Sequence, residues 1–278
     1  MRLNTAQKIC LAFYIFLLAF WATLFFQGVK DGFYNYLYSF LFGLIPFFGG
    51  MAAMISSRTW GGLRSAVGKG VFFVGLGLFL WGSGENIWSY YNFFLNEPAP
   101  YPSWADLGFG PSIFFYCLGA FYLSKATGAK YALKSMGAKI FVVFATVALL
   151  ILSHYVLIVK ARNTTLGDLV LGNSDLLKIV LDISYPFGGF IGLLLAVLIS
   201  GLSFKYLGGK YKNDIYALLI GLGVMFVGDY SFSYTTTVGT YYNANWGDLL
   251  LTTGLFFMTF GILGFYGLKE MSKPTSSP

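Results

Sequence analysis

Charge is what this chain has least of. Only 10% of its 278 residues are Asp, Glu, Lys or Arg, while 57% are apolar and the mean hydropathy is +0.69. A soluble domain carries about 25% charged residues, so the composition argues against a water-soluble fold. Histidine occurs once, at position 154, and cysteine twice, at Cys10 and Cys117. So few thiols and imidazoles offer no cluster with metal-ligand spacing, and neither a metal nor a cofactor is expected. Cys10 and Cys117 lie at different depths and are not placed to pair. Nor do a nucleophile, a base and an orienting group converge, and no phosphate loop occurs, which leaves a non-enzymatic protein as the expectation. Strict apolar alternation of the kind that builds membrane barrels is missing as well.

What is present is a series of long apolar runs. A hydrocarbon core of about 30 Å needs roughly 20 helical residues, and eight runs qualify: about 8–27, 35–56, 70–94, 107–124, 139–160, 176–204, 214–235 and 247–268. Stretches such as Ala145 to Leu152 are apolar on every face, which suits spanning helices because a helix satisfies its own backbone in lipid. The first apolar stretch, Ile9 to Phe26, exceeds a signal-peptide core and is expected to stay as an anchor. The lipid bilayer is thus the first partner the sequence implies.

Basic residues give the orientation. With the N-terminus inside, Arg2, Lys8, Arg58, Arg64, Lys69, Lys125, Lys130, Lys134, Lys139, Lys205, Lys210, Lys212, Lys269 and Lys273 are cytoplasmic, which is 14 of 18. Only Lys30, Lys160, Arg162 and Lys178 fall outside. The asymmetry predicts both termini in the cytoplasm and a location in the plasma membrane. The net charge of +7 is therefore topogenic. Scattered over short loops, it offers no basic surface for nucleic acid.

An internal repeat runs through the chain. Gly84-Glu85, Ser89-Tyr90, Trp104, Asp106-Leu107, Phe114-Phe115 and Gly119 recur as Gly228-Asp229, Ser233-Tyr234, Trp246, Asp248-Leu249, Phe256-Phe257 and Gly261, at an offset of 144 residues and then 142. The expected fold is therefore an all-α integral membrane protein of eight spans, built as two parallel four-helix repeats, 1–124 and 139–268. A cytoplasmic linker, 125–138, joins them and a short tail, 269–278, follows. Two copies with an even number of spans relate by an axis along the membrane normal, and a ligand site between the halves follows naturally.

Three acids interrupt the apolar spans: Glu85, Asp182 and Asp229. At about 1.5 Å per residue, Glu85 and Asp229 stand roughly 20 Å along their helices, near the outer boundary of the core. Asp182 and His154 reach the same layer, together with Trp88, Tyr185 and Tyr230. No lysine or arginine is expected at that depth, so the acids need protons, hydroxyls, outside water or a cationic ligand. These seven residues are the candidate ligand-binding set. Each also has a structural reading: Glu85 and Asp229 as hydrogen-bonding groups inherited by both copies, His154 as a packing residue, and the aromatics as membrane-interface residues. Two further acids are read as helix caps, in Ser103-Trp104-Ala105-Asp106 and Asn245-Trp246-Gly247-Asp248, where a polar side chain precedes an acid by three residues. Pro186 with Gly188, Gly189 and Gly192 predicts a kink and close packing in the sixth span.

Gly84-Glu85, Trp88, Tyr91 and Pro100-Tyr101-Pro102-Ser103-Trp104-Ala105-Asp106 resemble the seven- or eight-helix membrane regions that precede diguanylate cyclase or histidine kinase domains in bacteria. Gly228-Asp229 and Trp246-Gly247-Asp248-Leu249 resemble them too. The resemblance implies a sensing role passed on to an enzyme, and it supplies no ligand. Only ten residues follow Leu268, too few for an output domain, so signalling would need a separate membrane or cytoplasmic partner. The leading expectation is a sensor or binder of a small extracytoplasmic ligand in an outward-facing acidic and aromatic pocket. The alternatives are a transporter, proton-coupled or not, and a scaffold or assembly subunit of a membrane complex.

Overall fold

The computed structural model describes residues 3–126, 136–163, 176–206 and 212–267. The expected linker falls mostly, and the expected tail entirely, outside those residues. Eight long helices are described: α1 (Thr5–Phe26), α2 (Phe33–Ser57), α3 (Ala66–Tyr90), α4 (Asp106–Ala126), α5 (Met136–Ser153), α6 (Leu176–Tyr206), α7 (Lys212–Thr237) and α8 (Trp246–Leu263). There is no strand among the described residues. Seven of these helices, α1 to α5, α7 and α8, are long and apolar enough to cross a membrane, which points to a multi-pass membrane protein.

Capping side chains set several of the helix starts. At α1 the Asn4 side chain accepts the Gln7 amide at 2.8 Å while the Gln7 side chain accepts the Asn4 amide at 3.2 Å, a reciprocal box that satisfies two otherwise orphaned donors. α3 begins at Ala66, earlier than the apolar run suggests, because Ser65 accepts the Gly68 amide at 2.9 Å. At their C-terminal ends α3 and α5 widen into π-turns over Tyr91–Leu95 and His154–Lys160. The first closes on Asn96 at φ 54°, a left-handed conformation that asparagine tolerates better than most residues.

Six helices close into a ring in the order α2, α3, α4, α6, α7, α8 and back to α2. α1 lies outside against α2 and α8, and α5 lies outside against α6. Glycines bring the ring helices into backbone contact. A Cβ on Gly77 of α3 would stand 2.9 Å from the Ser112 carbonyl of α4, and one on Gly221 of α7 would stand 2.7 Å from the Gly254 carbonyl of α8. Likewise, a Cβ on Gly119 would meet the Val74 amide at 2.8 Å, and one on Gly261 would meet the Leu218 amide at 2.7 Å. Small residues permit this approach, and in lipid such close packing is a main source of helix association.

Candidate functional site

Every helix of the ring supplies part of one cavity, toward the end that carries the α3–α4 and α7–α8 loops. Phe42 of α2, Trp81, Glu85 and Trp88 of α3, and Phe109 and Ile113 of α4 form one side. Tyr185 of α6, Met225, Asp229 and Phe232 of α7, Tyr241 of the α7–α8 loop, and Asp248 and Leu251 of α8 form the other. The volume is about 40 Å³, room for roughly three or four waters at 10–15 Å³ each. Rings edge one another around it: Trp81 and Phe109 centroids are 5.0 Å apart, Trp88 and Phe232 5.9 Å, and Trp88 and Tyr241 5.8 Å. Toward the chain termini the next layer is apolar, with Leu78, Leu222, Leu255 and Met258 buried.

The three membrane acids do not share one environment. Glu85 is 4% exposed; its Oε1 accepts the Ser39 hydroxyl at 2.6 Å, and its Oε2 receives no hydrogen bond from the described residues. Asp229 lines the same cavity, and no described side chain or amide donates to it. Asp182 stands apart. It is 0% exposed and is held by the Tyr101 hydroxyl at 2.8 Å, the Thr237 hydroxyl at 3.1 Å and an ion pair with Arg162. It does not line the cavity. The expectation that no basic residue reaches this layer is therefore corrected: the Arg162 guanidinium reaches back from beyond the α5 extension, since its long side chain bridges from the chain's edge to a buried carboxylate.

His154 and Tyr230, both candidates on depth, face away from the cavity. His154 is exposed on the π-turn after α5, and the Tyr230 hydroxyl donates outward to the Leu152 carbonyl at 3.3 Å. Tyr185 and Trp88 do line it. Tyr185 donates to the Asp106 carboxylate, whose other oxygen accepts the Ser103 amide at 2.7 Å; Ser103 in turn accepts the Ala105 amide at 3.2 Å. At α8 the Asn245 side chain accepts the Asp248 amide at 3.0 Å, and Asp248 accepts the Ala244 amide at 2.6 Å. Asp248 is also 1% exposed and faces the cavity, so the cap reading covers only half of what it does.

Asn243, overlooked in the sequence, ties the cavity to its cover. Buried to 2% exposure, its Oδ1 accepts from Trp88 Nε1 at 3.0 Å, the Ser39 hydroxyl at 3.1 Å and the Tyr241 hydroxyl at 3.3 Å. Its Nδ2 donates to the Pro98 carbonyl at 2.7 Å, joining the α3–α4 and α7–α8 loops, and its carbonyl accepts from Asn35 at 2.8 Å. Burial and nearby carboxylates push the loop phenols of Tyr101 and Tyr241 upward, so both remain hydrogen-bond donors at any working pH. The chain as a whole matches no protein-family model, no curated protein and no solved structure.

Proposed function

We propose that this is a non-enzymatic multi-pass protein of the plasma membrane, with both termini cytoplasmic, that binds or senses a small molecule in the acidic and aromatic cavity between two halves of one duplicated unit. One observation carries the reading: Glu85, 4% exposed, and Asp229, partly exposed, line one cavity with carboxylate oxygens to which no described residue donates. Carboxylates at this depth need water, a proton or a cation as their partner, so two of them lining one cavity favour an occupant.

The duplication is supported by the packing. The offsets of 144 and 142 residues carry the Gly77–Ser112 contact onto Gly221–Gly254 and the Gly119–Val74 contact onto Gly261–Leu218. The ring order α2, α3, α4, α6, α7, α8 maps onto itself when α2 is exchanged for α6, α3 for α7 and α4 for α8. The same offsets pair Trp81 with Met225, Glu85 with Asp229, Trp88 with Phe232 and Phe109 with Leu251, and all eight line the cavity. A site on a pseudo-two-fold axis is where repeat proteins of membranes commonly bind ligands.

The apolar layer beneath the cavity favours binding over transport, and the hydrogen-bonded Asp182 cluster is the part of the layer that fits a scaffolding role. Thermal unfolding in nanodiscs against a panel of small cations, neutral molecules and anions tests the reading. At least one compound should stabilise the protein saturably, and Ile113→Trp, which fills the cavity, should remove that response without changing the circular dichroism. Saturable stabilisation that survives the filled cavity would put the ligand elsewhere and end the proposal, as would a silent panel.

A further inference from the structure

The cavity's own inventory of donors and acceptors specifies what can occupy it. No described residue donates to Glu85 Oε2 or to either Asp229 oxygen, Asp248 also faces the space, and no lysine, arginine or histidine lines it. Acids gathered in a site of low polarity cannot all be charged without a counter-charge. Among the described residues the one ion pair is that of Asp182, which lies outside the cavity.

Two classes of cation compete for the role. A divalent metal takes six to eight oxygens at short range, or near-octahedral oxygen geometry, whereas the walls here are mostly indole and phenyl faces. Among the described residues no group of three or more His, Cys, Asp or Glu side chains could hold a metal ion. An ammonium group needs something else: a few carboxylate acceptors for its N–H donors and aromatic faces for its charge. Trp81, Trp88 and Phe232 line the space with their rings, and Glu85 and Asp229, on helices opposite each other in the ring, supply the acceptors. The volume of about 40 Å³ limits the occupant to roughly three or four heavy atoms.

Resting on the binding reading above, we propose that the cavity selects a small ammonium cation bearing N–H groups, of the size of ammonium or methylammonium, over metal ions and over larger or fully alkylated amines. Glu85 and Asp229 accept its hydrogens and the Trp88 and Trp81 faces hold its charge.

The test is a thermal-unfolding titration of the wild-type protein in nanodiscs at constant ionic strength. The probes are methylammonium, ammonium, tetramethylammonium, potassium and magnesium chlorides, with methanol as the neutral isostere of methylammonium. Methylammonium should stabilise saturably, tetramethylammonium, potassium, magnesium and methanol should not, and Glu85→Gln and Asp229→Asn should each weaken methylammonium at least ten-fold. Equal stabilisation by potassium, magnesium or methanol overturns the proposal in the wild-type protein alone, whether or not the carboxamide variants fold. Methylammonium binding that persists in Ile113→Trp overturns it too. If methylammonium is inert while a neutral or anionic compound binds and is lost in Ile113→Trp, the cation class fails and the cavity reading stands.

Discussion

Asp182 and Glu85 are both buried carboxylates, yet they predict opposite responses to substitution. Asp182 has its full complement of partners in Arg162, Tyr101 and Thr237. Removing Arg162 as Met leaves an uncompensated buried charge, a situation that costs about 3–5 kcal/mol. Adding Asp182→Leu should recover most of that loss, because a buried ion pair replaced by apolar groups is often neutral in stability. Denaturant or thermal unfolding of the two single variants and the double variant checks this, and additive losses would mean the pair is not coupled. Glu85→Gln, by contrast, should cost little in stability, since its amide still accepts from Ser39 while the charge disappears.

At the scale of helices, the contacts of α3 with α4 and of α7 with α8 are set by glycine. Gly77→Ala and Gly221→Ala each drive a methyl into a carbonyl of the neighbouring helix, 2.9 Å and 2.7 Å away. Backbone cannot rotate out of the way, so the pairs must separate. Each substitution should destabilise by about 1–3 kcal/mol, the range for overpacking, and the two losses should be similar if the pairs are equivalent. A loss confined to one pair would count against equivalence. Depth along these helices was legible in the sequence because it needs only a count of residues, and it put Glu85, Trp88, Tyr185 and Asp229 near what became the cavity. Facing was not legible. A helix apolar on all sides gives no periodicity to read, which is why His154 and Tyr230 turned out to point away. Arg162 was hidden for a related reason: how far a guanidinium reaches depends on where the α5 extension ends in space. Asn243 carried no motif to single it out, and the capping role of Asp248 explained its charge locally and concealed that it also faces the cavity.

For the whole molecule, the imbalance of basic residues predicts that the α3–α4 and α7–α8 loops lie on the outer side. A cysteine introduced at Ala99, which is exposed in the α3–α4 loop, should react with an impermeant maleimide in intact cells. One introduced at Ala129 should react only after the membrane is opened. The reverse pattern would turn the cavity toward the cytoplasm and make its ligand an intracellular one.

Ser39 has a single hydrogen and stands within reach of two acceptors, Glu85 Oε1 at 2.6 Å and Asn243 Oδ1 at 3.1 Å. Whatever lowers the charge on Glu85 weakens its hold on that hydrogen and shifts it toward Asn243, and Asn243 is the strap between the α3–α4 and α7–α8 loops through Pro98. The state of the cavity is thereby written onto the protein's outer surface as a firmer or looser loop closure, with no helix having to move. Amide hydrogen exchange in the 96–105 loop should slow when the cavity is occupied. In Ser39→Ala the ligand should still bind and the loop should no longer respond; a loop that slows equally in both proteins would show that the message travels by another route.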